Sequence, residues 1–173
     1  MTQYSKRMVV IHWLTLTLLI AVWYLGDSVH DARHDDGATL TGYIVHASVG
    51  ATILLLTLTR LLFRSKDGTP PAVGTTLSDK VAKGLHHLLY TLLILLPVSG
   101  IAQVVTSDVG KALLAGDASL LPKKFDGVVA HEVHETFVTV LIVLVAVHLL
   151  AALKHQFIDK NGLMRRMSLR KKS

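Results

Sequence analysis

His134-Glu135-Thr136-Phe137-Val138-Thr139-Val140-Leu141-Ile142-Val143-Leu144-Val145-Ala146-Val147-His148 begins and ends on histidine with an almost wholly apolar run between. Nothing in it breaks a helix, and it is too long for an ordinary buried strand. Fourteen residues make nearly four helical turns, so both imidazoles face the same way, roughly 21 Å apart along the axis. A bilayer core is about 30 Å thick. A helix crossing it would hold one histidine near each side, both toward the interior of a bundle.

The rest of the chain agrees with a membrane setting. Of 173 residues, 51% are hydrophobic, and the mean hydropathy of +0.49 is too high for an ordinary soluble domain. Four apolar segments, at about 8–25, 40–63, 81–105 and 130–157, are each long enough to span a bilayer. The expected fold is all-α: one domain over 1–173, a four-transmembrane-helix bundle with a basic cytoplasmic tail at 159–173. The first segment follows Lys6-Arg7 as a signal peptide would. It lacks a small-x-small cleavage site, and Trp23-Tyr24 reads as an interfacial anchor, so it is taken as a retained helix. A polar, acid-rich loop is expected from Asp27 to Thr39. Pro70-Pro71 ends the second helix, Pro97 and Gly100 kink the third, and a loop of roughly 25 residues precedes the fourth.

Basic residues set the orientation. Lys6, Arg7, Arg60, Arg64, Lys66, Lys80, Lys83, Lys154, Lys160, Arg165, Arg166, Arg170, Lys171 and Lys172 fall at the N-terminus, second connection and C-terminus. Only Arg33, Lys111, Lys123 and Lys124 fall on the other side. By the positive-inside bias both termini are cytoplasmic. The net charge of +6 is thereby explained by topology and anionic lipid, with no nucleic-acid partner.

With no cysteine, disulfides, iron–sulfur clusters, thiolate-ligated haem and covalently attached c-type haem are excluded. Ten histidines remain, and four of them fall at two matched depths. His12 and His148 belong to the inner side, His46 and His134 to the outer. Each pair could clamp one haem iron from facing helices. His131, three residues before His134, is a rival for the outer position. His86 and His87 open the third helix on the cytoplasmic side, and His155 lies seven residues past His148. His155 and one of the helix-three pair stand where a quinone carbonyl could be hydrogen-bonded. His30 and His34 lie in the acid-rich loop and are read as solvated, with adventitious metal binding as the alternative. No phosphate-binding loop and no hydrolase nucleophile motif is present.

Several of these residues together resemble the prokaryotic cytochrome b561 family. They are Tyr4-Ser5-Lys6-Arg7 leading to Ile11-His12-Trp13, and Ile44-Val45-His46 with Gly50. Arg60-Leu61-Leu62, Thr69-Pro70-Pro71, and His86 with Tyr90 before Leu96-Pro97-Val98-Ser99-Gly100 continue the pattern. His134-Glu135-Thr136 with His148 and His155 complete it. The resemblance implies an inner-membrane protein with two haem b groups, ligated by His12/His148 and His46/His134.

It further implies the activity of bacterial superoxide oxidases: electrons taken from superoxide outside and delivered to ubiquinone near the cytoplasm. His86 and His155 would then occupy the quinone positions, with His87 a second candidate beside His86. Lys111, Lys123 and Lys124 would steer the anion, diluted by Asp108, Asp117 and Asp126. The alternative is a haem b membrane anchor that exchanges electrons with a partner dehydrogenase or hydrogenase and the quinone pool. A transporter or sensor without haem is the third reading.

Overall fold

The computed structural model describes residues 3–35, 37–71 and 77–169. Its four long helices are α1 (Lys6–His34), α2 (Leu40–Asp67), α3 (Leu77–Thr106) and α5 (Val129–Phe157), with a short α4 (Asp108–Ala115) between the last two. Single 3-10 turns occupy Ala118–Leu120 and Leu163–Met167. Each of the four long helices is apolar enough and long enough to cross a membrane. Among the described residues of α5, Leu141 alone is buried within the protein. A helix apolar on all sides yet so little covered by its own chain is solvated by lipid.

α1 packs on α2, α3 on α5, and α2 joins the two pairs by packing on α3. Neither α1 nor α2 packs closely along α5. The bundle is therefore two helical hairpin-like layers with a seam between α1/α2 and α5. Hydroxyls within it are satisfied locally: Thr15 Oγ1 donates to the Ile11 carbonyl at 2.7 Å and Thr57 Oγ1 to that of Ile53 at 2.8 Å.

Two expectations are corrected. The acid-rich stretch from Asp27 is helix to His34, not loop. Its polar residues include no glycine or proline before Gly37, so the helix simply continues beyond its apolar part. His30 and His34 consequently stack on successive turns, rings 4.6 Å apart. The long third connection is not a bare loop either. Ser107 caps α4, with its hydroxyl 3.4 Å from the Val109 amide, and Val109 and Ala112 are fully buried under it. Arg170, Lys171 and Lys172 of the basic tail lie outside the described residues, as does Asp36.

Residues near the start of α1 and those following α5 meet at one end of the bundle. The Tyr4 amide donates to the Arg166 carbonyl at 3.1 Å, Gln3 Nε2 to that of Arg165 at 2.8 Å, and Trp13 Nε1 to that of Met167 at 3.0 Å. Arg166 reaches the Pro71 carbonyl at 2.7 Å, and Arg7 pairs with Asp67. The segment after α5 is thus tied to the start of α1 and to the α2–α3 connection.

Candidate functional site

Four histidines reach into the seam from three helices. His12 on α1 faces His148 on α5, ring centroids 6.4 Å apart and planes at 74°. His46 on α2 faces His134 on α5, again at 6.4 Å and 74°. The helices that carry these pairs do not pack closely on each other. Imidazoles face each other across the space at two levels.

That spacing fits one metal atom between each pair. A metal–imidazole bond is about 2 Å long. Two such bonds, with each ring centre about 1 Å behind its nitrogen, make up the observed separation. Among the described residues no cluster of three or more histidines or carboxylates could hold a bare ion. Two imidazoles from opposite sides are instead the donor set a haem iron takes, the porphyrin supplying the remaining nitrogens. The residues present fit that group.

The supporting contacts differ between levels. His134 Nδ1 lies 3.1 Å from the Leu96 carbonyl and 2.9 Å from Ser99 Oγ on α3. Donation from Nδ1 to the carbonyl fixes the tautomer and leaves Nε2 as a ligating lone pair. Ser99 reinforces this locally, its Oγ donating to the same Leu96 carbonyl at 2.8 Å. Both outer rings also lean on glycine. A Cβ on Gly26 would sit 3.0 Å from His46 Cε1, and one on Gly100 would sit 3.4 Å from His134 Cε1. His46 Nδ1 is buried and makes no well-formed hydrogen bond.

At the other level a cation replaces the carbonyl. Arg60 Nη1 lies 2.7 Å from His12 Nδ1. Arg60 lies 5.9 Å and Arg64 5.7 Å from the centre of the Tyr90 ring. A third histidine joins here: His86 stands 5.2 Å from His148, ring to ring. His87 is one residue on and points elsewhere, exposed, with Nδ1 2.7 Å from the carbonyl of Lys83 on its own helix. His155 is held at the end of α5, with Nδ1 2.9 Å from both Asn161 Nδ2 and Asp159 Oδ2. Of the three quinone candidates, only His86 stands against the inner pair.

His131 is not in the seam. Its ring packs on Phe125 at 4.3 Å and its Nε2 faces Glu135 at 3.2 Å. The lysines expected to steer an anion are partly offset. Lys111 Nζ sits 2.6 Å from Asp108, which holds the ammonium above its usual range by that hydrogen bond. Lys124 shares a cavity of about 260 Å³ with Asp108 and Asp126. Lys123 is outside this cavity lining.

Sequence reasoning assigned no role to Arg60 at the site. Its signal was present, since a charge at the end of the apolar run Ile53–Thr59 is costly and tends to be functional.

The profile of the prokaryotic cytochrome b561 family matches residues 3–168. The chain is 31% identical over 168 residues to a protein named cytochrome b562 from Cereibacter sphaeroides, covering 95% of this chain and 94% of that one. It is 28% identical to cytochrome b561 homolog 1 of Escherichia coli K12, covering 99% of this chain and 100% of that one. It is 29% identical to a probable superoxide oxidase CybB of Yersinia pestis, covering 98% of each.

Proposed function

This chain belongs to the prokaryotic cytochrome b561 family of membrane electron-transfer proteins, and from that premise we propose a superoxide:ubiquinone oxidoreductase with two haem b groups. The observation that carries the two-haem part is the repeated geometry: two imidazole pairs with the same 6.4 Å spacing and 74° plane angle. A haem held at each pair supplies one-electron redox chemistry inside a medium that excludes ions. His12 and His148 serve one group, His46 and His134 the other. The protein sits in a bacterial inner membrane with its basic end, which holds both termini, in the cytoplasm; the charge asymmetry supports this orientation.

Two superoxide anions give up one electron each at the outer end and leave as dioxygen. One ubiquinone takes both electrons and two protons at the inner end and leaves as ubiquinol. His86 is the group best placed to meet the quinone. It stands beside His148 and is exposed in the N-terminal part of α3, where an imidazole can hold a carbonyl and relay a proton. His155 and His87 border the same end at greater remove. Superoxide as donor is supported by the named activity of the Yersinia pestis relative.

A stopped-flow absorbance trace tests this. Purified protein is mixed with a superoxide pulse while the haem bands are followed, and ubiquinone is added afterward. Rapid reduction of two b-type haems and reoxidation by ubiquinone is the expected result. Haem bands inert to superoxide would replace this reading with a membrane anchor that waits for a protein donor.

A further inference from the structure

We propose that Arg33 and the Tyr43 hydroxyl form a seat for an oxygen-centred anion directly outside the His46/His134 pair, walled by Phe125 and His131. The inference rests on reading that pair as a haem site. Arg33 is on the last turn of α1 and only 7% exposed. Its Cζ lies 4.6 Å from the centre of the Phe125 ring, and the same ring packs on His131 at 4.3 Å. One Nη donates to His30 Nδ1 at 3.1 Å, while Nε is buried with no hydrogen-bond partner. Among the described residues no carboxylate pairs with it. The nearby Glu135 is turned to His131.

A buried guanidinium without a counter-charge is strongly unfavourable unless an anion completes it. A second donor lies on the first turn of α2. The Tyr43 hydroxyl is buried with no partner and lies within electrostatic reach of Arg33. Buried polar groups are nearly always bonded, so Arg33 Nε and the Tyr43 hydroxyl, both without a partner on the outward side of His46, point to an acceptor that completes them. A planar fork plus a hydroxyl suits a carboxylate or a small oxyanion.

Helix register places this seat over the outer pair. Tyr43 precedes His46 by three residues, His131 precedes His134 by three, and Arg33 follows Gly26, which backs His46, by seven. The seat is therefore about 5–10 Å outward of the imidazoles. The cavity lined by Lys111, Lys124 and Phe125 leads from the surface to the ring that carries Arg33. Lys111 on the rim is neutralised by Asp108. The Arg33 guanidinium over that ring has no carboxylate partner among the described residues.

Two sources share this chemistry: a carboxylate of the porphyrin held at the outer pair, and a free anion such as superoxide. Holoprotein carrying Arg33→Gln, and separately Tyr43→Phe in case the first misfolds, distinguishes them. Two quantities are read: the rate of haem transfer to excess apomyoglobin, and the rate constant for haem reduction by a superoxide pulse at low and high salt. With a porphyrin carboxylate in the seat, one of the two haems leaves about tenfold faster in Arg33→Gln. With a free anion there, haem loss is unchanged while reduction slows about tenfold and its salt dependence flattens. Tyr43→Phe moves the same quantity less. Wild-type values for both quantities in both variants would overturn the seat. A wild-type protein that holds haem but ignores superoxide would sink the superoxide reading alone, because the haem-transfer comparison still judges the seat.

Discussion

The two histidine pairs have the same ring separation and the same plane angle, yet almost nothing around them is alike. The outer pair is backed by two glycines and fixed by a carbonyl and a hydroxyl of α3. The inner pair has a guanidinium on His12 Nδ1 and a third imidazole beside His148. One level is tuned by neutral dipoles, the other by a full positive charge. A positive charge favours the electron-rich state of a nearby redox centre. Under the proposed ligation the contrast would make the His12/His148 site the stronger electron sink, the direction that the proposed transfer to a quinone requires.

Removing ligands breaks the comparison outright. Under the proposed ligation, His148→Ala retains only the outer haem and His134→Ala only the inner one. Each purified variant should contain half the wild-type haem, by pyridine haemochrome assay. A His148→Ala protein with the full wild-type content would refute the pairing.

Arg60→Gln should equalise the two levels without emptying either. At an effective dielectric of about 20, a unit charge about 7 Å from a redox centre is worth roughly 2 kcal/mol, or about 100 mV for one electron. One of two midpoint potentials should fall by about that amount in a spectroelectrochemical titration, and the other should stay. A shift of both together, or of neither, would remove Arg60 as the source of the asymmetry.

Gly26→Ala sharpens the comparison from the other side. Its new methyl meets His46 at 3.0 Å, so the outer ring must shift, at a cost of about 1–3 kcal/mol. The electron paramagnetic resonance signal of one ferric haem should move. Gly50→Ala, whose Cβ would meet nothing within 4 Å, should leave both signals in place.

The smallest effect concerns the inner end alone. Asp159 is held below its ordinary value of 3.8, first by its hydrogen bond to Lys154, with His155 adding to it. A carboxyl depressed in the folded protein contributes stability that is present above its unfolded value and lost as pH falls through the folded one. Melting temperature should therefore drop slightly more steeply below about pH 4 in wild type than in Asp159→Asn. Parallel curves would show that the Lys154–Asp159 contact is not formed in solution. At the other end of the bundle the exposed Lys111–Asp108 pair lies on α4 rather than at a chain end.

Hydropathy alone disclosed the four spans, because a lipid solvent forces every backbone amide into a helix and every outward side chain to be apolar. It misjudged where α1 ends. Hydropathy marks where lipid stops, and the helix outlasts that boundary to His34. It also left α4 unseen, since eight residues with Gly110 among them carry too weak a period to read.

The levels of His12, His46, His134 and His148 follow from a fixed rise per residue, which no packing changes much. What each ring touches does not follow. His86 and His87 are adjacent in sequence but about 100° apart around α3, and only helix rotation in the bundle turns the first toward His148. The grip of Arg60 on His12 and the placement of Phe125 under Arg33 join residues distant in the chain. Depth in the membrane was thus a property of the sequence, written in spacing along one axis. Charge around each site was decided by tertiary structure, because it depends on how separate helices are rotated and set against one another.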